Sequence, residues 1–115
     1  MSILLAIACF AIDGDTIRCG KERIRLAGID APEMPGHCRR GRRCTPGDPM
    51  GSKASLSTAM REKPLRIERF GRDRSGRTIA IVYAGRVNLS CHQLESRNAA
   101  YRYDQGGRIA MLCEW

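Results

Sequence analysis

Arg25, Asp30 and Glu33 stand close together in the stretch I-R-L-A-G-I-D-A-P-E that runs from Ile24 to Glu33. Their types suit phosphoryl chemistry: a guanidinium can clamp phosphate oxygens through two parallel hydrogen bonds, one carboxylate can hold a hard cation, and another can take a proton from water. A plainer reading of the same residues is a strand, a glycine turn and the start of a helix. Ile24, Leu26 and, less cleanly, Ile29 alternate toward a core while Arg25 points the other way. Pro32 cannot donate to a sheet ladder and turns Ala31 away from helical geometry, so Asp30 and Glu33 emerge at the strand's exit.

The elements that must position these groups follow from pattern and turn chemistry. Residues 3–12 form an apolar run read as a first strand. The opening ten residues have some signal-like apolarity but no basic flank and no spacer, and no stretch of the chain reaches the length of a membrane span. Asp13-Gly14-Asp15 is a turn, Thr16 to Cys19 resumes the alternation, and Gly20-Lys21 turns the chain into Arg23 to Ile29, which gives a three-stranded meander. Met34 to Asp48, with Pro, Gly and Arg and no periodicity, is a long surface loop. Asp48 then Pro49 reads as an N-cap and first helical residue, opening a helix with Leu56, Ala59 and Met60 on one face and Pro64 as its stop. Leu65 to Phe70 and Arg77 to Tyr83 make a hairpin around the charged turn 71–76, with Ile79, Ile81 and Tyr83 on one side. A second helix starts near Asn88, and a short one spans 108–114.

With 115 residues, the chain reads as one domain. Twenty Lys and Arg against twelve Asp and Glu give a net charge of +8, and aromatic residues make up only 5%. A polyanion is the partner this balance favours, and nucleic acid ahead of an anionic membrane surface. Six cysteines without a C-x-x-C motif, and only two histidines, argue against structural zinc. Cys38 and Cys44 bracket R-R-G-R-R, and the pair is either a disulfide, implying an oxidising compartment, or two free thiols. Arg39, Arg40, Arg42 and Arg43 either hold distant phosphates or form a solvated face. His37 is read as exposed loop and His92 as helix surface, neither with a role. Five short strands in meander and hairpin order, with a helix after the third, read as an α+β, mainly β architecture: a five-stranded OB-type barrel with two to three short helices.

Three pieces now stand in order: Asp13-Gly14-Asp15-Thr16, then Arg25 through Glu33, then Asp73-Arg74-Ser75-Gly76-Arg77. Together they resemble the staphylococcal (micrococcal) nuclease family, with the match running from about Ala11 to Tyr103. The resemblance implies a calcium-dependent endonuclease acting on DNA and RNA with little sequence preference. Asp15 and Asp30 would be the metal carboxylates, with Ala31 offering its backbone carbonyl. Arg25 and Arg77 would grip the scissile phosphate, and Glu33 would orient or deprotonate the attacking water. Asp13 either supports the metal loop or caps its turn. Asp73, Arg40 and Tyr101 are the expected substrate contacts, with Tyr101 in the nucleotide pocket and Tyr103 structural. Ser75 stands where the family usually has Tyr, and Glu95 stands near a helix end where Gly is expected. A monomer, secreted or periplasmic, is the expected setting. The rival function is a non-catalytic binding module, but such relatives generally lose the acidic and Arg positions that all stand here.

Overall fold

The computed structural model describes residues 8–61 and 63–114, so the expected first strand over 3–12 lies partly outside the described residues. A meander of β1 (Cys9–Ala11), β2 (Thr16–Cys19) and β3 (Glu22–Leu26) joins a hairpin of β5 (Leu65–Arg72) and β6 (Thr78–Ala84) through a parallel pairing of β3 with β6. The sheet order is β1-β2-β3-β6-β5, and β7 (Val87–Asn88) pairs with β6. Apart from this sheet, β4 (Ile29–Asp30) pairs antiparallel with β8 (Ala100–Tyr101). Three helices, α1 (Pro49–Met60), α2 (Leu89–Glu95) and α3 (Arg108–Leu112), complete the mainly β, α+β fold of OB type. Among the described residues no helix is long and apolar enough to cross a membrane.

The core is aliphatic, as the low aromatic content requires. Ile17, Ile24, Leu26, Ile29, Leu56, Val82, Leu89 and Ile109 are fully buried, and each such side chain stabilises the fold by about 1.5–3 kcal/mol. Asp48 caps α1 by accepting the Met50 N–H at 3.1 Å, with Pro49 at the first helical position as expected. The helix ends at Met60, four residues short of Pro64. On β6 the fully buried residues are Ala80, Val82 and Ala84, the small side chains alternating with the bulkier Ile79, Ile81 and Tyr83.

Two expectations are corrected. The stretch from Arg23 to Ile29 is not one strand, because Gly28 adopts φ +78°, a left-handed conformation open to glycine, and a Cβ there would meet Ile109 at 2.5 Å. The chain therefore turns, and Ile29 and Asp30 pair with a different partner. At the end of α2, Asn98 N–H donates to the Gln93 carbonyl at 2.8 Å and Arg97 N–H to the Leu94 carbonyl at 3.1 Å. That is a Schellman closure with Arg97, at φ +60°, in the left-handed position, so the site that favours Gly is residue 97, and Glu95, where Gly was expected, is simply the last residue of the helix.

Three disulfides fasten the chain: Cys9–Cys19 across the β1–β2 pairing, Cys38–Cys44 within the long loop, and Cys91–Cys113 from α2 to the end of α3. Bridges of this kind typically stabilise by about 2–4 kcal/mol each. Glu22 adds a polar tie between strands. It accepts Arg69 Nε and Nη2 at 2.8 and 2.7 Å and Thr78 Oγ1 at 2.8 Å, which joins β3 to β5 and β6. The Arg69 hydrogen bonds, then that of Thr78, pull the Glu22 carboxyl down from 4.5 to about 2. Because the folded value is the lower one, the stability from this group is complete above about pH 4.5 and is lost as pH falls toward 2. Glu22→Gln should lower the melting temperature near neutral pH and make no difference near pH 2. A gap of equal size at both pH values in thermal scans would show that this carboxylate is not the source.

Candidate active site

Asp15 sits in the β1–β2 turn, which is fastened from below. Asp13 Oδ1 accepts the Asp15 N–H at 3.0 Å, so Asp13 caps the turn. Gly14 is pressed against Ser52 of α1 with no room for a Cβ, and its carbonyl accepts Gln93 Nε2 at 2.8 Å. Thus anchored, the Asp15 carboxylate accepts Thr16 Oγ1 and the Ala31 N–H, both at 2.8 Å, and lies 3.0 Å from Arg25 Nη1. Burial alone would raise the Asp15 carboxyl, but the Arg25 charge, with hydrogen bonds involving Asp13, Ala31 and Thr16, holds it below the ordinary value. Asp13 moves the opposite way. Burial first, and then the charge of Asp15, push it up to about 7.

Asp30 ends β4 and is only 1% exposed. Its Oδ1 lies 3.4 Å from Arg25 Nη2 and 3.6 Å from Arg42 Nη2, while Oδ2 accepts Thr45 Oγ1 at 2.7 Å and Arg102 Nη1 at 3.1 Å. One buried carboxylate thus faces three guanidiniums. Glu33, just past Pro32, pairs with Arg42 Nη1 at 3.0 Å. Arg25 spans Asp15 and Asp30, yet its buried Nη1 meets no acceptor among the described residues in hydrogen-bond geometry. The 3.0 Å contact with Asp15 is therefore an ion pair in distance but leaves an N–H donor unused.

Register brings Arg77 to the same place. Arg25 on β3 lies beside Ile79 on the parallel strand β6, and Arg77 immediately precedes that strand. Asp73 Oδ2 receives Arg77 Nε at 2.8 Å, and Oδ1 receives the backbone N–H groups of Ser75 and Arg77 at 3.0 and 2.9 Å. Burial opposes ionisation of Asp73, but the Arg77 backbone and guanidinium outweigh it and hold its carboxyl below the usual range. A cavity of about 610 Å³ opens here, with Arg25, Arg42, Arg77, Asp73 and Tyr103 on its walls beside Leu26, Ala27 and Ile79.

The structure brings Asp15, Asp30, Ala31, Arg25 and Glu33 together, and Arg25 shares the cavity wall with Arg77 and Asp73, while Asp15, Asp30, Ala31 and Glu33 lie behind that wall. One expected placement is corrected. Tyr101 does not line this cavity: its hydroxyl donates to Asp104 Oδ2 at 2.7 Å, whereas Tyr103 lines it, with Arg25 and Arg102 at 5.8 and 4.6 Å from its ring centre. A left-handed backbone at Tyr103, φ +58°, separates the two side chains. Arg40 is exposed and outside the cavity, on the loop expected to reach distant phosphates, and Arg42, one residue past the Gly41 turn, lines the cavity. The sequence reading also missed Thr45 and Arg102, whose roles arise only from chain segments remote in order. His37 is exposed, but His92 is no idle surface residue, since Nε2 lies 2.9 Å from Ser55 Oγ and ties α2 to α1.

The donor set suits a hard cation. Asp15 and Asp30 offer only oxygen, are bound to one guanidinium and so lie near each other, and the Ala31 backbone is held to Asp15. Among the described residues no three His, Cys, Asp or Glu side chains converge on one point, so a cation here would take most of its coordination from water and substrate oxygen.

Fold and site together define a small OB-type domain carrying two buried carboxylates and a pair of arginines at its strand ends. The chain belongs to the staphylococcal nuclease homologue family, which it matches over residues 23–107. It is 34% identical over 98 residues to an uncharacterized endonuclease of Haemophilus influenzae, covering 81% of this chain and 49% of that protein. It is 38% identical over 96 residues to the succinoglycan biosynthesis protein ExoI of Rhizobium meliloti, covering 79% and 49%. With the thermonuclease of Staphylococcus intermedius the identity is 39% over 82 residues, covering 64% and 45%. The chain spans about half the length of the curated relatives it matches.

Removing the charge of the buried Asp30 leaves the buried Arg25 and the part-exposed Arg42 and Arg102 facing one another without it. Breaking one side of a buried pair typically costs about 3–5 kcal/mol. Asp30→Asn should therefore destabilise the protein by roughly 3 kcal/mol in denaturant titrations run in chelator; unchanged or increased stability would mean that the three arginines do not depend on this carboxylate.

Proposed function

We propose that this domain is a metal-dependent endonuclease that hydrolyses phosphodiester bonds of DNA and RNA with little sequence preference, using Ca2+. The observation that carries this reading is Arg25. A buried guanidinium with an unused N–H, on a cavity it shares with Arg77 and beside two buried carboxylates, suits a bound phosphate. Asp15, Asp30 and the Ala31 carbonyl would hold the cation, which supplies charge neutralisation at a phosphate oxygen when bound. Arg25 and Arg77 clamp the scissile phosphate and stabilise the charge that grows in the transition state. Asp73 keeps Arg77 in place through their 2.8 Å pair. Glu33 orients the attacking water and takes its proton. Tyr103 offers a ring on the cavity wall for a base.

Substrates with a phosphodiester backbone fit the net charge of +8, and among the described residues no base-reading element accompanies the site. The binding-module alternative is disfavoured by the retention of Asp15, Arg25, Asp30, Glu33 and Arg77, since binding alone needs no carboxylates beside a phosphate. Three disulfides support an oxidising setting, secreted or periplasmic, and the domain is read as a monomer.

Digestion of plasmid DNA and of RNA should proceed with Ca2+ and stop in excess chelator, and Glu33→Gln should slow single-turnover cleavage by about a hundredfold or more while binding of nucleic acid holds. Full cleavage in chelator would overturn the cation assignment, and cleavage by Glu33→Gln at the wild-type rate would remove Glu33 from the chemical step.

A further inference from the structure

Between β4 and α1 the chain makes a long excursion that returns one side chain to the carboxylates. The Cys38–Cys44 bridge closes the excursion, Gly41 turns it at φ +81°, and the Arg42 N–H donates to the Arg39 carbonyl at 3.0 Å. Of the four arginines in this loop, Arg42 alone lines the cavity. Its Nη1 lies 3.0 Å from Glu33 and its Nη2 3.6 Å from Asp30, so a single guanidinium engages one carboxylate assigned to the cation and another assigned to the water.

Asp30 does not need Arg42 for neutralisation, because the Arg25 and Arg102 guanidiniums already pair with it and Thr45 adds a hydrogen bond. A cation arriving at Asp30 would meet a positive charge within a few ångströms, and the two repel unless the guanidinium withdraws. The cavity offers a destination for it, since a phosphate held by Arg25 and Arg77 would present oxygens beside Arg42.

We propose that Arg42 stands in for the cation at Asp30 and Glu33 in the unloaded protein and passes to a substrate phosphate when the cation binds, with the Cys38–Cys44 bridge keeping it within reach of both. The proposal rests on the metal-dependent reading above. Its consequence is linkage: withdrawal of Arg42 frees Glu33 for water and adds a third guanidinium to the phosphate, so cation and substrate favour each other's binding. The bridge raises the effective concentration of Arg42 at the carboxylates, as a short tether does.

Calorimetric titration of Ca2+ alone, without nucleic acid, into the wild type, Arg42→Ala and the Cys38→Ser/Cys44→Ser double variant tests this, with thermal scans confirming that each is folded. Loss of two part-exposed ion pairs predicts Ca2+ binding roughly threefold to tenfold tighter in Arg42→Ala. The double variant should also bind more tightly, by a smaller factor. Unchanged or weaker binding in Arg42→Ala overturns the proposal, and so does an absence of Ca2+ binding in all three proteins. Failure of this inference is separable from failure of the underlying one: cleavage that needs Ca2+, together with unchanged affinity in Arg42→Ala, removes only the role of Arg42, whereas chelator-resistant cleavage removes the metal-dependent reading itself.

Discussion

The site depends on one guanidinium. Arg25 lies between two buried carboxylates, 3.0 Å from Asp15 and 3.4 Å from Asp30. Nothing in the sequence makes those acids neighbours except the fold, which brings a turn before β2 and the end of β4 to a residue on β3. Left alone, two carboxylates in so dry a setting would repel and one would take up a proton. With Arg25 between them, Asp15 stays ionised. Buried ion pairs of this kind add little net stability, because desolvation offsets the attraction, but they do fix geometry. The surrounding contacts serve that end: the Ala31 N–H and Thr16 hydroxyl hold Asp15, and Thr45 and Arg102 hold Asp30.

Charge is arranged in layers around that centre. Arg77 is held by Asp73 across a turn whose backbone N–H groups share the same carboxylate, so its position is set before any ligand arrives. Arg42 is held by the carboxylates of Asp30 and Glu33 beside Tyr103, and comes from a loop fastened by the Cys38–Cys44 bridge, by Arg102 donating to the Arg43 carbonyl and by Thr45 donating to Asp30. Arg23, one pleat before Arg25, donates to the Ser75 carbonyl and ties β3 to the same turn. The strong positive balance of the chain is therefore not spread evenly. Part of it is consumed in building the site, and the remainder lies on exposed arginines such as Arg39, Arg40 and Arg74.

Much of this was legible in the sequence because local chemistry decides it. The Asp48-Pro49 start of α1 and the Asn88 cap of α2 are decided by side-chain oxygen meeting backbone N–H, and both stand where the residues put them. The motif order D-G-D-T, R-L-A-G-I-D-A-P-E and D-R-S-G-R carried the family and gathered Asp15, Arg25, Asp30, Glu33 and Arg77 in one place. What escaped was decided by tertiary contact. Strand register joins Cys9 to Cys19, and packing against Ile109 requires the break at Gly28. Tyr101 and Tyr103 are equivalent in pattern and are separated only by a left-handed residue and the acceptor at Asp104. Arg40 and Arg42 look alike in a charge run, and only the turn at Gly41 tells them apart. The hydrogen bond between His92 and Ser55 needed two helices to meet.

The planar fork of Arg25 reaches both carboxylates, and the central proposal is that it grips a substrate phosphate as well, something a point charge cannot do. Single-turnover cleavage by Arg25→Lys at saturating Ca2+, with the fold checked by circular dichroism, tests it most directly. The account predicts a folded protein whose chemical step is slower by about a hundredfold or more, the scale for losing an oriented donor to a developing charge. A folded Arg25→Lys protein that cleaves at the wild-type rate would contradict it, because positive charge alone, and not the span between Asp15 and Asp30, would then be all that the site requires.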